Sequence, residues 1–104
     1  MLRKVTDKNY DEIIGGSDVA VLCFVSAWCA TCKSLEQIIE GPLSDKNSLV
    51  LMARADISEA PEVAQKFGVL GIPTVVFLRN GKPVHQVTFT GVVSKEKMSQ
   101  KFKN

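Results

Sequence analysis

Cys29 and Cys32 stand three residues apart in the segment Trp28-Cys29-Ala30-Thr31-Cys32-Lys33. In the first turn of a helix, residues at this spacing face the same side, so two sulfurs can come within bonding distance at ordinary disulfide geometry. The chemistry open to such a pair is thiol–disulfide exchange: Cys29 attacks a disulfide as a thiolate, a mixed disulfide forms, and Cys32 attacks Cys29 to release the reduced product. The first cysteine lies where unpaired backbone N–H groups and the positive end of the helix dipole favour an anion, which lowers its pKa. That dipole is worth ~0.3–1 kcal/mol against about 1.4 kcal/mol for one pKa unit, so it supplies less than a unit alone. Larger activation requires direct hydrogen bonds to the Cys29 sulfur, from the Cys32 S–H or the N–H groups of the first turn. Cys32, one turn inside the helix, is expected to be more buried and to act second.

Two other uses of the pair stay open at this point. Free cysteines are commonly small interior hydrophobes. A metal or iron–sulfur site takes typically four ligands, which one Cys-x-x-Cys and a distant His85 do not supply within one chain, leaving only a cluster shared between two chains. His85, among Val84, Gln86 and Val87, reads as a solvent-facing strand residue. No metal and no cofactor is expected.

The elements that must position the cysteines follow from periodicity. Thr6 and Asp7 are N-cap types ahead of Tyr10, Ile13 and Ile14 at helical spacing, stopped by Gly15-Gly16. Asp18 to Val25 is β-branched and apolar, as a strand covered on both faces reads. Ser26-Ala27-Trp28 turns the chain into a helix carrying Leu35, Ile38 and Ile39, which Gly41-Pro42 ends or kinks. The close cysteines therefore fall at a helix N-terminus. Ser48 to Ala53 reads as a second buried strand. Pro61, Val63, Ala64 and Phe67 mark a helix with proline in its first turn and Gly68 after its last. Thr74 to Arg79 and Val84 to Thr90 are strands joined through Asn80-Gly81, a pair suited to a two-residue hairpin. Ser94 is placed to cap a last helix bearing Met98 and Phe102 on one face, its lysines forming a solvated face. Helices alternating with strands, then a hairpin and a closing helix, define an α/β fold built on one mixed sheet.

Composition excludes other classes. The chain has 104 residues, 45% hydrophobic and 23% charged, which is globular and leaves room for a single domain, 1–104. A chain this long buries roughly 65% of its unfolded surface and needs no disulfide staples, so the cysteines call for another explanation. A net charge of +2, with basic residues not gathered among aromatics, argues against nucleic-acid binding. The longest apolar run, Val19 to Val25, is far short of the ~20 residues that span a bilayer. The start, Met1 to Asp7, has no following apolar stretch and no small-residue cleavage pattern, so the expected location is the cytoplasm, where thiols are kept reduced.

Taken in order, the apolar strand leading into Trp-Cys-x-x-Cys-Lys, Gly71-Ile72-Pro73-Thr74, the Asn80-Gly81 hairpin and Gly91 before the last helix span the whole chain, which resembles the thioredoxin family. The resemblance implies a thioredoxin fold, a mixed central sheet with helices on both faces. It implies that Pro73 is cis and packs against the active-site disulfide, leaving the backbone of Ile72 free to pair with a bound peptide. It places Trp28, Gly71, Ile72, Pro73 and Gly91 in a flat apolar rim around Cys29 that accepts partner proteins. The implied function is a general thiol–disulfide oxidoreductase acting through Cys29 and Cys32 on disulfide-containing proteins. The implied electron source is a thioredoxin reductase, with glutathione competing, and the expected state is a monomer.

Three departures from the family pattern tune this expectation. Ala30-Thr31 replaces the usual Gly-Pro, ahead of the retained Lys33, which removes a stiffening proline and adds a hydroxyl beside the sulfurs. Cys23 stands where the family has a buried aspartate that moves the proton of the second cysteine; a thiol in apolar surroundings has a raised pKa and lacks that charge. Arg54 takes the place of a lysine near that acid, its partner here unassigned. Cys23 reads as an inert core thiol, with a second disulfide to Cys32 or a redox-sensitive role as the alternatives. The stretch between Gly81 and Gly91 is also two residues longer, which lengthens or bulges the last strand. A reading from another class is a protein-binding module of the same fold whose redox activity is weak because Cys23 and Thr31 have replaced helpful groups.

Overall fold

The computed structural model describes residues 2–40 and 50–89. Among them the chain runs β1 (Arg3–Val5), α1 (Tyr10–Gly15), β2 (Val19–Val25), α2 (Ala30–Ile38), β3 (Leu51–Asp56), α3 (Pro61–Lys66), β4 (Thr74–Arg79) and β5 (Lys82–Thr88). The strands form one mixed sheet in the order β1-β3-β2-β4-β5, with β3 parallel to both β1 and β2, and β4 antiparallel to β2 and β5. The expected α/β class and mixed sheet are what is found.

β2 sits at the centre of the sheet and is apolar at every position because both of its faces are covered. Alternate side chains divide between two layers. Ala20, Leu22 and Phe24 join Tyr10 and Ile14 of α1 and Val63 of α3 in one core cluster, together with Ala53, Ala55, Val76 and Leu78. Val21, Cys23 and Val25 join Cys32 and Leu35 of α2, and Ile39 just beyond it, in the other. Helices thus cover both faces, and α2, which carries the cysteines, lies alone among the described helices on its side.

Three boundaries differ from the sequence reading, each for a physical reason. The second buried strand runs Leu51–Asp56, not Ser48 to Ala53. Arg54 and Asp56 look like the end of a buried strand, yet both continue the ladder opposite Cys23 and Val25, and their polar ends are met by other groups. α1 starts at Tyr10, since the side chains of Thr6 and Asp7 are engaged elsewhere: the Thr6 hydroxyl accepts the Lys8 N–H at 3.2 Å and the Asp7 carboxylate accepts N–H groups of a later helix. The hairpin is tight, with φ of 52° at Asn80 and 77° at Gly81, so β5 begins at Lys82. Pro83 is tolerated there because β5 is an edge strand. Phe77 lies opposite His85 and Leu78 opposite Pro83, so the register shifts around Val84, as the longer last stretch led us to expect. Gly41-Pro42, Gly91 and the helix expected after Ser94 lie outside the described residues.

Asp7 acts across the molecule. Its two carboxylate oxygens accept the N–H groups of Glu62 and Val63 at 3.1 and 3.0 Å, capping α3 from a position more than fifty residues earlier. Asp7→Ala is expected to destabilise the protein by about 1 kcal/mol, a fall in Tm of roughly 4–8 °C, whereas Asp7→Asn should lose less. Thermal unfolding checks this, and an unchanged Tm for Asp7→Ala would deny the cap any energetic role.

Candidate active site

α2 begins directly after Cys29, which is its N-cap residue. The backbone of Cys29 is extended, at φ −102° and ψ 106°, and this turns its side chain back over the first helical turn. The Cys29 Sγ accepts the Cys32 N–H at 3.1 Å, the first-turn hydrogen bond expected from the spacing. The two sulfurs are paired as a disulfide, with Cα atoms 5.2 Å apart. Cys29 is half-buried and Cys32 only 1% exposed, the order of accessibility expected of an attacking and a resolving sulfur. Ala30 and Lys33 are exposed on the first turn and Thr31 is half-buried.

The Ile72–Pro73 peptide bond is cis, as the resemblance implied. Ile72 packs against the same apolar cluster as Cys29, Cys32 and Cys23, so these four residues are brought together in one layer. The loop before Pro73 is held from β4 and β5. The Thr74 hydroxyl donates to the Gly71 carbonyl at 2.6 Å and receives the Thr88 hydroxyl at 2.8 Å. Gln86 Nε2 donates to the Phe67 carbonyl at 3.0 Å, and the Phe89 N–H to the Pro73 carbonyl at 3.0 Å. A side chain at Gly71 would bring its Cβ to 3.3 Å from Thr88 Cγ2, so glycine lets the loop lie close to β5. Sequence reasoning takes Thr74 only as the end of the Gly-Ile-Pro-Thr segment and does not single out Gln86 or Thr88. The signal available was the alternation of Gln86 and Thr88 on one face of β5, which shows a shared face and not what the face touches.

Trp28 is 95% exposed and lines an open groove of about 350 Å³ with Ser26, Ala27, Asp56, Ile57 and Ser58, at the ends of β2 and β3. Leu70, in the loop before Gly71, is fully exposed. Gly91 lies outside the described residues.

Beneath α2, Cys23 is fully buried and carries no disulfide. Burial pushes its thiol far above the ordinary range; the nearby Glu36 carboxylate adds to this and Arg54 offsets part of it. The partner of Arg54, unassigned from sequence, is Glu36: Arg54 Nη1 lies 3.3 Å from Glu36 Oε1, joining β3 to α2. Glu36 was not among the expected site residues. Its place four residues after Cys32 was the available signal, since residues i and i+4 share a helix face. Among the described residues no three His, Cys, Asp or Glu side chains gather in a way that could hold a metal ion, and no helix is long and apolar enough to cross a membrane.

The family model described as Thioredoxin matches residues 1–104. A thioredoxin of Rickettsia bellii is 40% identical over 83 residues, covering 79% of this chain and 79% of its own length. A thioredoxin of Staphylococcus haemolyticus is 35% identical over 97 residues, covering 93% of this chain and 90% of its own. Among solved structures, a mutant thioredoxin from Halobacterium salinarum superposes with a TM-score of 0.82 at 25% identity, covering 97% of this chain and 87% of that one.

Proposed function

The chain belongs to the thioredoxin family and is a thiol–disulfide oxidoreductase, and from that premise we propose that it reduces protein disulfides, with Cys29 as the attacking sulfur and Cys32 as the resolving one. The observation that carries this is the unequal pair itself. One sulfur is half-buried at the helix N-terminus and accepts a first-turn N–H, and its bonded neighbour is closed off from solvent. A thiolate at Cys29 would be stabilised by that N–H and by the helix end, so it is the better nucleophile near neutral pH.

The partner polypeptide docks on the apolar rim of Trp28, Gly71, Ile72, Pro73 and Gly91, where the backbone of Ile72 offers strand-like pairing. Ala30, Thr31, Lys33, Cys23 and Arg54 tune the pair. The protein works as a monomeric single domain in the cytoplasm, in electron transport and redox homeostasis. Its dithiol is restored by a thioredoxin reductase, with glutathione as the competing source. A second reading, a binding module of weak redox activity, draws on the neutral Cys23 thiol under the site. Reduction of insulin disulfides with dithiothreitol as electron source separates the two: rapid precipitation of the insulin B chain supports the reductase, and a rate no higher than dithiothreitol alone overturns it.

The Ala30-Thr31 turn has a consequence for potential. Without a proline the first turn can settle around a thiolate, and the Thr31 hydroxyl is a further donor, so the reduced form gains stability. Equilibration with glutathione is expected to give a potential less negative than about −270 mV. A value at or below that figure would refute the effect, and Thr31→Pro should move the potential back toward it.

A further inference from the structure

In the resolving step Cys32 must give up a proton while almost sealed from solvent, and the layer around it offers few places for that proton to go. Cys23 on β2 holds its own proton firmly, because burial disfavours the thiolate. Arg54 on β3 has no acceptor. On β1, Lys4 is opposite Arg54 and paired with Glu59 at 3.1 Å. Asp56, two residues along β3, is bound by the Ser58 N–H and hydroxyl at 2.8 and 2.7 Å, which keep it ionised. On α2 itself Lys33 is exposed in the first turn, and Glu40 beyond the helix is exposed as well.

Glu36 remains. It lies one turn after Cys32, on the same side of α2 as the buried Cys32 and Leu35, and its carboxylate is turned down to β3, where Arg54 Nη1 meets Oε1 at 3.3 Å. At i and i+4 the Cβ atoms are about 5–6 Å apart, which puts a thiol and a carboxylate within reach of one bridging water. The Glu36 side chain is 22% exposed, so solvent reaches it, while Arg54 keeps it from swinging away.

We propose that Glu36 accepts the proton of Cys32 through one water in the resolving step, with Arg54 as the residue that positions it. The step rests on the reading that Cys32 resolves a mixed disulfide held on Cys29. The Cys32 proton passes to the Glu36 carboxylate, and the Cys32 thiolate attacks the Cys29 sulfur. The Cys29–Cys32 bond forms as the bond from Cys29 to the partner breaks. The electron pair leaves on the partner sulfur, which takes a proton back from Glu36. The protein dithiol is oxidised by two electrons and the partner disulfide is reduced by two.

The test is quenched-flow mass spectrometry of the reduced protein with a peptide disulfide, following formation and decay of the mixed disulfide from pH 5.5 to 9. For Glu36→Gln, which keeps the shape and an acceptor toward Arg54, formation should match wild type. Decay at pH 7 should be at least about tenfold slower. The gap should close as pH rises, because without the acceptor only the spontaneous thiolate fraction of Cys32 reacts, and below its pKa that fraction grows tenfold per unit. Glu36→Asp should recover part of the rate. Arg54→Met, which leaves the acceptor in place, should keep the wild-type shape of the pH profile. Decay of Glu36→Gln at the wild-type rate at pH 7 would overturn the proposal. So would a slowing equal at every pH and shared by Arg54→Met, which is the mark of a purely structural ion pair. If wild type forms no mixed disulfide at all, the exchange reading fails instead.

Discussion

Cys29→Ser is expected to lower disulfide reduction by roughly three orders of magnitude or more, to the uncatalysed background, while Cys32→Ser still attacks and stops at a stable mixed disulfide. The asymmetry follows from position. Cys29 is at the N-cap with its sulfur half-buried and accepting the Cys32 N–H, a position open to a partner and one in which a thiolate would be stabilised. A serine hydroxyl there keeps the hydrogen bond but has no accessible anion near neutral pH. Cys32 is sealed, so its loss leaves the first attack intact and removes the second. Insulin reduction, iodoacetamide labelling of each single-cysteine form at pH 7, and mass analysis of the trapped adduct check this together. If the Cys32-only form is alkylated faster than the Cys29-only form, or if Cys32→Ser turns over freely, the roles are reversed or absent.

The parts of this site legible in the sequence are those whose meaning is local. Two cysteines a helical turn apart and an Asn-Gly between apolar runs each fix a conformation within a few residues. The cysteine turn and the hairpin follow from that directly, and the cis geometry at Pro73 came from the family resemblance. What was not legible depends on partners that the parallel crossover brings together. Asp7 looks like a cap for the helix beside it and caps α3 instead, because β1 lies next to β3 and delivers the chain to the start of the later helix. Arg54 and Asp56 look like the end of a buried strand. They extend β3 because Glu36 comes down from α2 to one, and Ser58 turns back to the other. The side chains of Thr88 and Gln86 alternate with Val87 in a way that marks one face of β5, but only the fold shows that this face holds the loop carrying Gly71. Periodicity assigns a side to a residue; it does not name what lies across the gap.

Cys23→Asp tests the electrostatics under the site from the opposite direction. The position is fully buried, opposite Arg54 on β3 and Val75 on β4, with Glu36 overhead. Burial and the Glu36 charge would both raise the folded-state pKa of an aspartate there above its unfolded value of about 3.9, and Arg54 would offset only part. A raised folded pKa means that stability is fully present below the unfolded value and is lost as pH climbs toward the folded one. The Tm of the variant is therefore expected to fall away from wild type as pH climbs above about 4 and to run parallel once the aspartate is ionised in the folded state, with about 1.4 kcal/mol lost for each pKa unit of the rise. Its turnover should move the other way. Where the new carboxylate is ionised it adds a second acceptor beside Cys32, so decay of the mixed disulfide should be faster than wild type. In the Glu36→Gln background the gain should be larger, since the added group then replaces a missing one. Thermal unfolding across that pH range and mixed-disulfide decay at pH 8 measure both halves. A Tm gap independent of pH would show that the aspartate is not held in the low-dielectric layer. Unchanged decay in both backgrounds would show that charge at position 23 has no bearing on how Cys32 loses its proton.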